Sequence, residues 1–481
     1  MNLTTRDQAS GRPEGRAGSR SALARWVWRS RRHRPLAVLI LVGCVSVGLL
    51  AGCGGSSGSG GGATTVKAAK LDPSAAGGTL TQWNWETEAD DPGGHALVPV
   101  AINEFEKQYP KWKVTNREMT LEEQTDSLPL SLNGSSAPDV TETNEGFGSM
   151  GRLVTDKLLL NLADYNKIYG WSQKVGTVPL QYNSFSADGK LFGQGNVYGV
   201  PWSAAPLGVF YNKTLLKKAG ATIPTNWNQF FADLPLLKKA GITPMAYSGG
   251  QPTAYQPVHT FYMLADAFTP ASTSINFVFH KGSNPSIDVP GYVKAATTFQ
   301  NWAKQGYLEP GYAGLSDTQA LNDFTSGKAG FFIEGEWYIS SVQSGLHDQA
   351  GFWEPPTITG GPGEGYSIPS KSSNPDAAAA FINILLGPKI QTANLKEGEV
   401  PVVPPSQSVL KTFPPMIQAA TNGWTAAVKH NRLVPFLDYA TPNYLNQEMA
   451  AVQELLGGGL APKSMISQLQ SDYEQYWQGK S

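Results

Sequence analysis

Cysteine is almost missing from these 481 residues: only Cys44 and Cys53 occur. Everything after residue 53 is free of thiols, which excludes disulfide staples and metal–thiolate sites from any domain downstream. Histidine is sparse too, and the six residues at 33, 95, 259, 280, 347 and 430 show no paired ligand spacing. No metal and no cofactor is expected from such a set. Neither a G-x-S-x-G nucleophile elbow nor an HExxH pair is present. The stretch "GGPGEG" lacks the Gly-Lys-Ser/Thr that a phosphate loop needs. Positive charge is short as well: after residue 52 there are 28 Lys and Arg against 36 Asp and Glu, a net charge of −8. That balance argues against a nucleic-acid partner.

The N-terminus is the exception. Residues 1–34 hold nine arginines against Asp7 and Glu14, and residues 36–51 then run without a charge. A helix of that length spans about 24 Å, short of the roughly 30 Å hydrocarbon core. A basic region, a short apolar run and small residues before a cut describe a secretory signal peptide at 1–52 rather than a signal anchor. Leu50-Ala51-Gly52-Cys53 resembles the bacterial lipobox, whose cysteine is acylated, with palmitate for example, and becomes residue one. Leu41-Val42-Gly43-Cys44 fits less well, because apolar sequence continues after it. Arg31-Arg32 leaves a twin-arginine route open beside the general one. The Gly/Ser/Ala-rich stretch that follows is expected to act as a lipidated tether over 53–77, roughly 25–30 Å in r.m.s. length.

Beyond the tether, strand-like and helix-like stretches alternate. "TLTQW" reads as a strand, and Val98, Ala101, Ile102, Phe105 and Tyr109 follow at helical spacing until Pro110. "KWKVTNREM" and "APDVTETN" read as further strands, and the β-α-β order implies a mostly parallel sheet covered by helices. "GVFYNKTLLKKAG" is a strand and a helix closed by Gly220; Asn226 and Asn374 are expected helix N-caps, with Pro375 at a first helical position. "SGKAGFFIEGEW" contains the strand 329–333.

The order and spacing of "TLTQWNWE", "INEFEKQYPKWKV", "SAPDV", "VYGVPW", "VFYNKTLLKKAG", "SGKAGFFIEGEW" and "IPSKSSNPDAAAAFINILL" resemble the extracytoplasmic solute-binding lipoproteins of bacterial ABC sugar importers, relatives of maltose-binding protein. One departure is "IPTNWNQF", where the family has Pro-x-Thr-Trp. The resemblance implies an α/β fold of two periplasmic-binding-protein-like lobes, with a hinge and an interlobe ligand cleft. Lobe one would take 78–202 plus 361–405, and lobe two 203–360 plus 406–481. The crossings would fall near 200–203, 359–365 and 403–408, all rich in Gly, Pro or Ser. Implied partners are a sugar or oligosaccharide and the membrane permease subunits of an importer, on the outer face of the cell membrane.

Sugars need flat aromatic faces for their C–H patches and directional polar groups for their hydroxyls. The chain's 13 Trp, 18 Tyr and 19 Phe supply the first. In open α/β folds such groups sit beyond the carboxyl ends of strands. Trp83, Asn84, Trp85 and Glu86 follow the first strand, Asn144 and Glu145 follow "PDV", and Trp202 sits at a presumed hinge. Tyr247 follows "ITPMA", and Glu364 and Tyr366 lie in the Gly-rich crossing. Trp337, after Glu336, matches a position where the family stacks a tryptophan on ligand, and Gly335 leaves room there. Asp438, Tyr439 and Tyr444 would face the cleft. A glycan-active enzyme is the rival, with Glu334 and Glu336 sharing a strand face; a non-sugar solute or an adhesin role are others.

Overall fold

The computed structural model describes residues 67–480, apart from 75, 89–90 and 251–253. The expected signal peptide and the expected acylated Cys53 lie outside the described residues. No helix among the described residues is long and apolar enough to cross a membrane. The tether expected through residue 77 gives way earlier. Leu71 is buried with its amide 3.4 Å from the Tyr169 hydroxyl, and the Ala69 amide donates to Asp376 at 3.0 Å.

Strand β1 (Thr79–Asn84) leads through helix α1 (Pro92–Gln108) to β2 (Lys113–Glu118), and α2 (Leu121–Asn133) leads to β3 (Val140–Thr143). Local chemistry sets these ends. Asp91 accepts from the Gly94 amide at 3.0 Å with Pro92 opening α1, and Thr120 and Glu123 form a reciprocal capping box on α2. Strands β4 (Ser184–Phe185) and β5 (Asn196–Val197) pair apart from the main sheets. Then come β6 (Gly199–Pro201), β7 (Ser203–Asn212), β8 (Thr243–Met245) and β9 (Ala329–Gly335). The last five are β10 (Ala350–Trp353), β11 (Ile358–Pro362), β12 (Gly365–Ser367), β13 (Val400–Pro401) and β14 (Leu433–Val434).

Two sheets result, one per lobe. The first has the order β2-β1-β3-β12-β6; the second has β14-β11-β7-β9-β8, with β10 and β13 also on β7. Pairing is parallel for β1 with β2 and β3, but β12 runs antiparallel to β3 and β6. In the second sheet β7 is antiparallel to β9, β10, β11 and β13. The expectation of a mostly parallel sheet holds for strand direction with one exception per sheet, β12 in the first and β7 in the second. A chain that crosses between sheets and returns enters each from opposite ends, which reverses strand direction.

The chain passes between the sheets at Trp202, between β6 and β7, and at Gly363 and Glu364, between β11 and β12. These passages touch, since the Gly363 amide donates to the Ser203 carbonyl at 2.9 Å. A third passage lies just before β13, because Val400 and Pro401 already pair with Ala204 and Ser203. Asn226 caps its helix by accepting from Gln229 at 3.1 Å. Asn374 stands at the N-cap of the helix Pro375–Leu385, but its side chain donates to Asp139 and Thr79, each at 3.2 Å, and makes no cap bond.

Candidate functional site

Two tyrosine–glutamate hydrogen bonds join the lobes. Tyr255 precedes the helix Gln256–Phe268 of the second lobe and donates to Glu122 of α2 at 3.2 Å. Tyr439, on the turn Leu437–Ala440 after β14, donates to Glu145 beyond β3 at 3.3 Å. A strip of rings runs between these two bonds. Tyr255 stacks on His259 (6.2 Å between centroids, 22°), His259 stacks on Phe436 (5.4 Å, 26°), and Phe436 meets Tyr439 at 5.6 Å and 64°. Trp337 stands edge-on to His259 at 5.7 Å and is half-buried. Helical geometry accounts for the first pair, because residues 255 and 259 are four apart and share a face. Gln256 anchors the helix by donating to the carbonyls of Ala246 and Ile333, both at 3.1 Å.

Carboxyl groups surround the strip. Asp438 receives the Tyr262 hydroxyl at 3.3 Å, and burial pushes it up to about 6. Asp317 is pushed up to about 6 by burial and the nearby Glu334. Glu145 receives Asn183 at 3.3 Å as well as Tyr439, and burial, then Glu364, hold it well above the carboxylate range. Glu364, in the second passage, is pushed up to about 7 by burial. Behind them, burial and then the charge of Glu142 hold Glu86 well above the carboxylate range, and burial, with Glu364 adding to it, pushes Glu142 up to about 8. No group of three or more His, Cys, Asp or Glu is placed to hold a metal among the described residues.

The lobes thus meet along packed rings, with Tyr255 and Trp337 half-buried and His259, Phe436 and Tyr439 buried, and hydrogen-bonding carboxyls stand around them. Residues 89–392, more than half of the chain, match the model of the bacterial extracellular solute-binding protein family. The chain belongs to this family. The maltodextrin-binding protein MdxE of Bacillus subtilis (strain 168) is 26% identical over 267 residues, covering 52% of this chain and 58% of that one. The multiple sugar-binding protein of Streptococcus mutans serotype c is 22% identical over 205 residues, 42% of this chain and 46% of that one. Matches to curated relatives span from 33% to 58% of the relatives' length. A solved chitin oligosaccharide binding protein superposes with a TM-score of 0.70 at 22% identity, covering 83% of this chain and 99% of that one. The match to that structure speaks to the fold of this solute-binding protein.

Of the residues singled out from sequence, Glu145, Trp337, Asp438 and Tyr439 come together in this cleft. Trp85 is buried yet stands outside the continuous apolar core, and its amide donates to Glu142 at 3.1 Å. Others are structural. Trp83 lies under the Arg117 guanidinium at 4.7 Å, on its register partner in β2. Asn84 ties the loop by donating to Asn116 at 2.6 Å and accepting from the Glu86 amide at 3.0 Å. Glu86 packs against Gly94 at the start of α1. Asn144 accepts from the Glu145 amide at 2.8 Å. Trp202 and Tyr366 are core residues in edge contact at 6.3 Å. Tyr247 is fully buried between Phe299 and Tyr312, and Tyr444 is fully buried against Phe277.

Glu334 and Glu336 do not share a face. β9 ends at Gly335; Glu334 meets His259 at 3.0 Å, whereas Glu336 accepts from the Val400 amide at 2.9 Å. The room at Gly335 goes to the Trp337 ring itself, which a Cβ there would overlap. Sequence reasoning missed Tyr255, His259, Phe436 and Glu122. The first two were detectable as rings four apart beside Pro257, whereas Glu122 looks like any acid in a first helical turn.

Proposed function

We propose that this solute-binding protein captures a sugar or oligosaccharide between its lobes and delivers it to the permease subunits of an ABC importer. The carrying observation is the ring strip Tyr255–His259–Phe436–Tyr439, bounded at each end by a hydrogen bond to the first lobe. Aromatic faces and directional oxygen acceptors are what sugar C–H patches and hydroxyls require. Each interlobe bond contributes about 0.5–1.5 kcal/mol net. Two such bonds bias an open–closed equilibrium without locking it, which suits hinge closure around a ligand. The passages at Trp202, at Gly363 and Glu364, and before β13 serve as that hinge. Trp85 and Glu364 supply further aromatic and polar contacts from the first lobe and the hinge.

Binding without catalysis is the reading that the divergence of Glu334 and Glu336 supports, since a hydrolytic pair would face one bond. Thermal melts of the full chain against mono- and oligosaccharides test it, because a ligand that binds only the native state raises the melting temperature. Shifts only with polyamines, peptides or iron chelates would overturn the carbohydrate assignment. Residues 1–52 serve as signal peptide and Cys53 as the acylated anchor on the extracytoplasmic face of the membrane. Cys53→Ser is expected to abolish acylation, and mass spectrometry finding an unmodified Cys53 in the wild-type mature chain would overturn that anchor. One acyl chain holds only marginally, so at least two are expected on that residue.

A further inference from the structure

His259 sits at the middle of the strip, and its surroundings leave one atom free to vary. Nδ1 lies 3.0 Å from both oxygens of Glu334. An ionised carboxylate only accepts, so Nδ1 carries a proton whether the ring is neutral or charged. Tyr255 and Phe436 cover the ring, and Trp337 meets it edge-on. The side chain keeps 11% of its surface exposed, and no described group hydrogen-bonds to Nε2. That nitrogen is an acceptor in the neutral ring and a donor in the charged one.

We propose, on the carbohydrate reading above, that His259 is a specificity residue of the cleft whose Nε2–H donates to an acceptor-only oxygen of an uncharged sugar, such as a ring, glycosidic or acetamido carbonyl oxygen. Asp438 and Glu364 disfavour an acidic sugar once they ionise, above about 6 and about 7, while Glu334 holds the imidazole in place. A sugar hydroxyl would satisfy either state of Nε2; an acceptor-only oxygen is satisfied by the charged ring alone.

The groups facing the ring are Glu334 on β9, Asp317 at the head of the helix Asp317–Thr325, Asp438 on the turn after β14, and Tyr255 and Tyr262 beside it. Burial alone would push the ring's pKa down. Glu334, with Asp317 and Asp438, more than offsets burial and holds it above the ordinary histidine value. A bound acceptor raises it further, so binding takes up protons. Affinity is then highest below the histidine pKa and falls as pH rises through it.

The test is calorimetric titration of the full chain in detergent with neutral mono- and oligosaccharides and a matched uronic acid, from pH 5.5 to 8.5. The wild-type Kd is expected to rise at least about tenfold across the range, the scale of one charge-assisted hydrogen bond. His259→Gln keeps an N–H donor that does not titrate, and its profile is expected to be flatter by that factor. Asp317 and Asp438 remain in the variant, so the difference between the two profiles is the share of His259. His259→Phe keeps a ring and loses the donor, and is expected to bind at least about tenfold more weakly at pH 6. Nitrogen NMR of the wild-type imidazole, assigned by the signal lost in His259→Gln, is expected to show Nε2 shifting on saturation with sugar. Identical pH profiles for wild type and His259→Gln, an Nε2 signal unmoved by saturating sugar, or tighter binding of the uronic acid would overturn this inference while leaving the carbohydrate reading intact. A wild-type chain that binds no sugar overturns both.

Discussion

Trp337 shows how a single residue separates binding from packing. Its ring folds back over Gly335 and meets His259 edge-on, yet remains half-buried rather than enclosed. Trp337→Ala is therefore expected to weaken sugar binding by about 1–3 kcal/mol, the scale of a well-packed aromatic anchor. Ligand-free stability is expected to fall by less than the roughly 3–5 kcal/mol of a core tryptophan. Calorimetric titration and denaturant unfolding of the same variant separate the two quantities. Unchanged affinity with a collapse in stability would return the ring to the core. Asp438 shows the limit of reading at this scale: between Leu437 and Tyr439 in sequence, it owes its raised pKa to burial that only the assembled lobe supplies.

At the scale of elements, the strands nearest the hinge connect to the cleft through Asn183. That side chain lies against Gly199 of β6 and Gly365 of β12, where a Cβ on either would overlap its oxygen. Its amide donates to Glu145 at 3.3 Å, and Glu145 also receives Tyr439 from the second lobe. Close approach of backbone to side chain is what makes glycine necessary at residue 365. Gly365→Ala is expected to cost about 1–3 kcal/mol of stability, as overpacking does. Displacing Asn183 should also loosen Glu145, so ligand release is expected to quicken. Stopped-flow dissociation measures that arm; a destabilised variant that releases ligand at the wild-type rate would cut the link between hinge and site.

For the whole molecule, carboxyls gathered between the lobes set the response to pH. Asp317 and Asp438 are held at about 6, Glu364 at about 7 and Glu142 at about 8, in each case with burial as the first cause. An unfolded carboxyl titrates near 4, so from about 4 up to these values the native state holds more protons than the unfolded one. Their stabilising share is complete at about pH 4 and is lost as pH rises through about 8. The melting temperature of the ligand-free chain is accordingly expected to fall between pH 5 and 8.5, opposite in sign to salt-bridged carboxylates. A melting temperature that climbs over that window would refute the assignment. Sugar should also favour the state in which both lobes touch it, and the shift cannot exceed the differential affinity for that state. Small-angle scattering is expected to show a smaller radius of gyration with ligand, and an unchanged profile at saturation would argue for a rigid cleft.

Much of this was legible in the chain itself. Strand and helix order follow from local periodicity and caps, as at Asp91, Thr120 and Asn226, because those signals act within a few residues. The family could be read from the order of short motifs, Glu145 from its place after a strand, and Trp337 and Tyr439 through the resemblance. Which aromatic residues face the cleft could not be read that way. Tyr247, Tyr366 and Tyr444 look like Tyr439 in sequence and all four are buried, but only the packing of elements far apart in the chain brings the fourth against Glu145 of the other lobe. The same holds for His259, whose partner Glu334 is 75 positions away. Local sequence decides what an element is; burial and charge at a site are sums over neighbours that only the tertiary structure brings together.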